Sequence, residues 1–121
     1  LRLSESRSEL NVVGDQYGSP TYTFDLARLL IDMIQTEKYG IYHASNEGFC
    51  TWAEFATEIF LQANRKVTVN SISTEEYPTR AVRPKNSRMS KQKLIDNGFE
   101  PLPKWQNALK HYLNELAEEV K

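Results

Sequence analysis

One junction limits this chain more than anything else in it. Leu10-Asn11-Val12-Val13 is a short strand pattern closed by Gly14. It passes through the loop Asp15-Gln16-Tyr17-Gly18-Ser19-Pro20-Thr21 straight into a helical pattern. A strand that hands over to a helix through a Gly/Pro-punctuated loop is a βα unit, and it points to an α/β fold.

The following helix is expected over residues 24–36, with Thr23 as N-cap and Asp25 in the first turn, where the helix dipole favours an anion. Phe24, Ala27, Leu30, Ile31 and Ile34, with Leu26 and Met33 beside them, cover a wide apolar face. A face that wide predicts burial on more than one side. Lys38-Tyr39-Gly40 stops the helix. Residues 41–45 read as a buried strand, and Asn46-Glu47-Gly48 as a turn. Thr51-Trp52-Ala53-Glu54 has the spacing of a capping box. It opens a second helix whose inward face is Trp52, Phe55, Ala56, Ile59, Phe60 and Ala63, with Asn64 at its end.

Residues 67–72 alternate like a strand, and 73–88 are irregular. A short helix over 91–96 starts after Ser90 and ends at Asn97-Gly98. Pro103 suits the first position of a last helix, whose stripe is Trp105, Leu109, Tyr112, Leu113, Leu116 and Val120. Three separated strands make a thin sheet. Leu1-Arg2-Leu3-Ser4-Glu5-Ser6-Arg7 reads as the tail of a helix. The chain is therefore expected to be the C-terminal piece of a larger α/β protein, with residues 1–121 forming one region.

At 121 residues, 40% hydrophobic and 26% charged, the chain has the make-up of one soluble globular domain. The net charge of −1 gives no bulk attraction to nucleic acid or membrane. No apolar run is long enough to span a bilayer, and the N-terminus lacks a signal-peptide core. The single Cys50 cannot form an internal disulfide, so a cytoplasmic setting is expected.

Two stretches could carry chemistry. The loop 15–21 sits where open α/β sheets bind ligands; Gly18 allows close backbone approach, while Gln16, Ser19 and Thr21 offer donors. A well-made turn before a helix explains the same residues. The second stretch holds Arg80, Arg83, Lys85, Arg88, Lys91 and Lys93 with no acid between them. Arginine's planar fork suits phosphate, and Pro84 stiffens the backbone beside Arg83. A solvated basic loop is the simpler alternative. With only Tyr77 nearby, stacking of single-stranded nucleic acid is not expected. His43 and His111 stand alone, without metal-ligand spacing, and no metal site is expected. Glu115, Glu118 and Glu119 read as a solvated helix face. There is no GxGxxG or GxxGxxG, no Tyr with a Lys four residues on, no HExxH and no GxSxG.

Val12-Val13-Gly14-Asp15-Gln16-Tyr17-Gly18-Ser19-Pro20-Thr21-Tyr22-Thr23-Phe24-Asp25-Leu26-Ala27 closely resembles dTDP-4-dehydrorhamnose reductase, a family of extended short-chain dehydrogenase/reductases. The resemblance continues through Gly40-Ile41-Tyr42-His43-Ala44-Ser45-Asn46, Thr51-Trp52-Ala53-Glu54-Phe55-Ala56 and Arg83-Pro84-Lys85-Asn86-Ser87-Arg88-Met89, then through Lys93-Leu94, Gly98-Phe99 and Pro103-Lys104-Trp105. It implies an α/β fold: the C-terminal substrate-binding part of a Rossmann-type protein, without the N-terminal dinucleotide-binding part. It also implies NADPH-dependent reduction of the 4-keto group of dTDP-4-dehydro-L-rhamnose, a step in making polysaccharide precursors.

The family's Tyr-x-x-x-Lys pair and Gly-rich loop are not in this sequence, so no catalytic or cofactor-binding residue is carried over. The substrate side is: Gln16, Gly18, Ser19, Thr21 and Arg83 are implied as contacts to a dTDP-sugar, with Arg83 at the diphosphate. Extended members often place an Arg in the first loop. Ser19-Pro20 stand there here, which leaves more of the anion binding to Arg83. The implied partner is the nucleotide sugar, not nucleic acid or membrane, and a homodimer of the full-length protein is open. The alternatives are a non-catalytic regulatory subunit of the same fold, like that of methionine adenosyltransferase, and a free-standing anion- or RNA-binding module built on residues 80–93.

Overall fold

A computed structural model describes residues 1–119. Val120, expected at the end of the last apolar stripe, lies outside the described residues. The chain divides into two compact units, one of residues 1–18 and 50–87, the other of residues 19–49 and 88–121.

In the first unit, β1 (Glu9–Val13) pairs in parallel with β4 (Thr68–Ile72), in a register running from Glu9 opposite Thr68 to Val13 opposite Ile72. Asn70 strengthens the pair by donating from its side-chain amide to Glu9 and, at 3.1 Å, to Asn11. A two-residue antiparallel pair, β2 (Tyr17–Gly18) with β3 (Cys50–Thr51), follows the loop. Helix α2 (Trp52–Gln62) packs on β1 and β4.

The expected capping box is present: Glu54 N–H donates to Thr51 Oγ1 and Thr51 N–H donates to Glu54 Oε1, both at 3.1 Å. The helix ends at Gln62, and Asn64 takes the left-handed conformation at φ 55°. Gly14, just after β1, makes room for Ser71 of β4. A Cβ there would sit 2.9 Å from Ser71 Cβ and 3.5 Å from Ala53 Cβ. Trp52 does not face inward as expected; it is 58% exposed. Ala53 and Phe60 are the buried positions of α2, and Trp52 lies roughly 100° around the helix from Ala53.

The second unit is built from α1 (Thr23–Ile34), α3 (Gln92–Asp96) and α4 (Trp105–Glu119). Its core is Leu29, Leu94, Phe99 and Leu102, with Met33, Tyr42 and Ala44 packed against them. Leu29, Leu94 and Leu102 are almost fully buried, each worth about 1.5–3 kcal/mol of transfer free energy. The inward side of α1 is therefore Leu26, Leu29 and Met33. The expected stripe is not buried: Phe24, Leu30, Ile31 and Ile34 are all more than half exposed. Apolar residues surround α1, and their spacing cannot say which side the chain covers.

Residues 41–45 form no strand, and Ile41 is 83% exposed. Extended backbone needs a neighbouring strand for its N–H and C=O groups. Neither sheet among the described residues includes this segment. It leads instead into a buried polar hub. Asn46, fully buried, accepts from Tyr22 N–H at 2.7 Å and donates to Asp25 Oδ2 at 2.9 Å and to Pro103 O at 3.0 Å. Thr23 is accordingly the first helical residue rather than the N-cap, and Asn46 binds the amide at that boundary from across the unit. Pro103 likewise does not begin α4. Its carbonyl accepts from Glu47 N–H at 3.0 Å, while Trp105 N–H donates to Glu47 O at 3.0 Å. This bridge keeps residues 103–104 extended, and α4 starts at Trp105.

Candidate functional site

A cavity of about 540 Å³ opens in the first unit. Asn11, Val12 and Val13 of β1 form part of its wall, with Gln16 from the loop and Trp52 from the first turn of α2. Tyr77, Thr79 and Arg83, from the irregular segment after β4, complete it. Gln16 and Arg83 are 67 positions apart in sequence by their numbers, yet they line one space. Arg83, Tyr77 and Thr79 are exposed, so the guanidinium is available to an anion. Spacing alone did not bring Trp52, Tyr77, Thr79 or the β1 residues into the site. The one available signal was Tyr77, the aromatic next to the basic run.

The loop 15–18 and the segment after β4 are bound to each other at two places. At the first, Thr74 donates its hydroxyl to Asp15 Oδ1 at 2.5 Å and its N–H to Asp15 Oδ2 at 3.1 Å. Gln16 Nε2 adds a bond to Thr74 Oγ1 at 3.3 Å. At the second, Tyr17 N–H donates to Lys85 O at 2.8 Å, and Ser87 N–H donates to Tyr17 O at 2.9 Å. The Thr74 hydroxyl and then its amide hold the Asp15 carboxyl below the usual aspartate range, helped by Lys85 and opposed by desolvation. Glu75 is lowered too, first by its own backbone amide and then by Lys85, whose Nζ lies 3.5 Å from Glu75 Oε1. Burial, with Glu54 nearby, pushes the Cys50 thiol up to about 11, which makes it a poor nucleophile.

The other nominated residues stand elsewhere. Gly18 lies against Ser87, whose Oγ a Cβ there would approach to 2.7 Å and push aside. Ser19 belongs to the second unit, where its hydroxyl donates to Gly48 O at 2.7 Å. Thr21, also in the second unit, is exposed.

The basic run is divided between the two units. Arg80, Arg83 and Lys85 belong to the first unit, and Arg88, Lys91 and Lys93 to the second. Lys91 is buried, donating to Ser45 Oγ and Asn46 O at 3.2 Å each, with its Nζ 5.1 Å from the Phe49 ring centre. Arg88 lies over that same ring, and Lys93 over Tyr42.

The described residues do not suit a nicotinamide dinucleotide either. Such a cofactor seats its pyrophosphate on the free amides of a glycine-lined helix start. Here the start of α2 is closed by its capping box, and α1 begins at Tyr22-Thr23-Phe24 with no glycine. Among the described residues there is no group of His, Cys, Asp or Glu that could hold a metal ion, and no helix long and apolar enough to cross a membrane.

The family described as RmlD substrate binding domain matches residues 1–118. The chain is 44% identical over 117 residues to the spore coat polysaccharide biosynthesis protein SpsK of Bacillus subtilis, covering 97% of this chain and 41% of that protein. A dTDP-4-dehydrorhamnose reductase of Clostridium acetobutylicum superposes with a TM-score of 0.93 at 38% identity, over 96% of this chain and 41% of that one. The Bacillus anthracis dTDP-4-dehydrorhamnose reductase, solved in complex with NADP, superposes with a TM-score of 0.88 at 46% identity, over 94% and 40%. The chain thus spans about two fifths of the length of the proteins it matches.

Proposed function

Because this chain belongs to the RmlD substrate binding domain family, we propose that residues 1–121 are the substrate side of an NADPH-dependent dTDP-4-dehydrorhamnose reductase. The observation that carries this reading is the meeting of Gln16 and Arg83 at one cavity of the first unit. Arg83 binds the diphosphate of the nucleotide sugar through its planar fork, and Gln16 supplies an amide to a sugar or phosphate oxygen. Gly18 and Ser19 keep the loop in shape through Ser87 and Gly48, and exposed Thr21 offers a further hydroxyl. The hydride donor and the acid for the 4-keto group are supplied from outside this chain. What these residues contribute is binding and orientation, which lower the barrier by holding the reacting carbonyl in place. By its membership of this class of biosynthetic reductase, the parent protein would act in the cytoplasm.

The test is Arg83→Ala in the full-length protein. A hydrogen bond to a charged group is worth about 1.5–3 kcal/mol, so KM for the dTDP-sugar should rise roughly 10- to 100-fold, with kcat much less changed. An unchanged KM would sink the diphosphate role. NADPH oxidation by residues 1–121 alone would refute the division of labour.

A further inference from the structure

Arg83 lies in the stretch after the single 3-10 turn Thr74–Glu76, outside any helix or strand, and a ligand-binding guanidinium needs a fixed base. The two ends of that segment are the places where it is held. One end is Thr74, gripped through both hydroxyl and amide by the two oxygens of Asp15. The other is Lys85 and Ser87, which bracket Tyr17 with backbone hydrogen bonds. Tyr77, Thr79 and Arg83 all lie between these ends.

Resting on the reading above, we infer that Asp15 is a positioning residue for Arg83: its carboxylate pins the start of the 74–87 segment to the loop after β1, and the segment then presents the guanidinium to the cavity. The neighbouring bonds agree with this assignment. Backbone groups make the far pin, while at the near end Asp15 takes two of the bonds to Thr74, one of them the shortest there. The lowered pKa of Asp15 has the same origin, because both of its oxygens accept from Thr74. Two further hydrogen bonds, from Gln16 to Thr74 and from the Ser87 hydroxyl to Tyr17 O, link the same two stretches.

A double-mutant cycle in the full-length protein tests this. Asp15→Ala should raise KM for the dTDP-sugar roughly 3- to 10-fold with kcat nearly unchanged, the scale of a lost hydrogen bond. Asp15→Asn, which keeps one acceptor, should fall between it and the unmodified protein. In an Arg83→Ala background the effect of Asp15→Ala should disappear, because there is no guanidinium left to place. Equal KM effects of Asp15→Ala in both backgrounds, or no effect in either, would overturn the inference while leaving the site reading intact. An Arg83→Ala protein with normal KM would overturn both. Should Asp15→Ala fail to fold, Thr74→Val removes the same hydroxyl bond from the other side and must give the same coupling to Arg83. Trypsin cleavage after Arg80 or Lys85 should quicken in Asp15→Ala, whereas unaltered cleavage would show that Asp15 does not hold the segment.

Discussion

The two units of this chain solve the problem of order differently. The second unit has a closed apolar centre, with Leu29, Leu94 and Leu102 nearly inaccessible and a satisfied polar hub at Asn46 beside it. The first unit has a thinner centre, in which Ala53 and Phe60 of α2 are buried against a two-stranded sheet. Much of its order comes from hydrogen bonds along loop edges: the capping box, the Asp15–Thr74 pair and the bridge at Tyr17. The first unit also carries the cavity and Arg83. A hydrogen-bonded edge gives local precision without filling the space that a ligand needs, whereas a packed centre gives stability and leaves no room.

Mutations can break or sharpen this comparison. The largest loss is expected from Leu94→Ala in the second unit, at about 2–5 kcal/mol in urea unfolding, from lost transfer energy and the cavity left behind. Ile34→Ser, on the exposed side of α1 in the same unit, should change stability by less than about 0.5 kcal/mol. Equal effects at these two positions would mean that the apolar centre is misplaced. Gly14→Ala in the first unit is expected next, at about 1–3 kcal/mol, because the added methyl meets Ser71 and Ala53. An unchanged midpoint would show that the end of β1 and Ser71 of β4 are not tightly packed there. Thr51→Ala should cost about 1 kcal/mol, the value of a lost cap. A much larger loss would mean that the first unit depends on its edges even more than its thin centre implies.

The local elements were largely legible in the sequence. The strand at residues 10–13, the capping box at Thr51, the end of α2 at Asn64 and the stop at Asn97-Gly98 follow from turn chemistry and capping, which act within a few residues. The family was legible too, because its motifs are contiguous. The misjudged features depended on neighbours far along the chain. Thr23 and Pro103 lost their expected roles to Asn46 and Glu47, and Trp52 turned outward because α2 presents Ala53 and Phe60 to the sheet. The six basic residues, close in sequence, are divided between the two units, and in the second Lys91 is tied to Ser45 and Asn46 while Arg88 lies over Phe49.

By itself, the sequence determined that this is an α/β chain of the RmlD type, that its loop 15–21 joins a strand to a helix, and that residues 1–121 contain no Tyr-x-x-x-Lys and no GxGxxG. Short-range sterics, capping and motif identity suffice for those statements. Only the tertiary structure decided which of the nominated residues share a space. Gln16 meets Arg83 at a cavity because the parallel pairing of β1 with β4 brings the ends of two distant strands side by side. The loop after one and the segment after the other then leave from the same edge, and Asp15 can reach Thr74. No local pattern encodes that register.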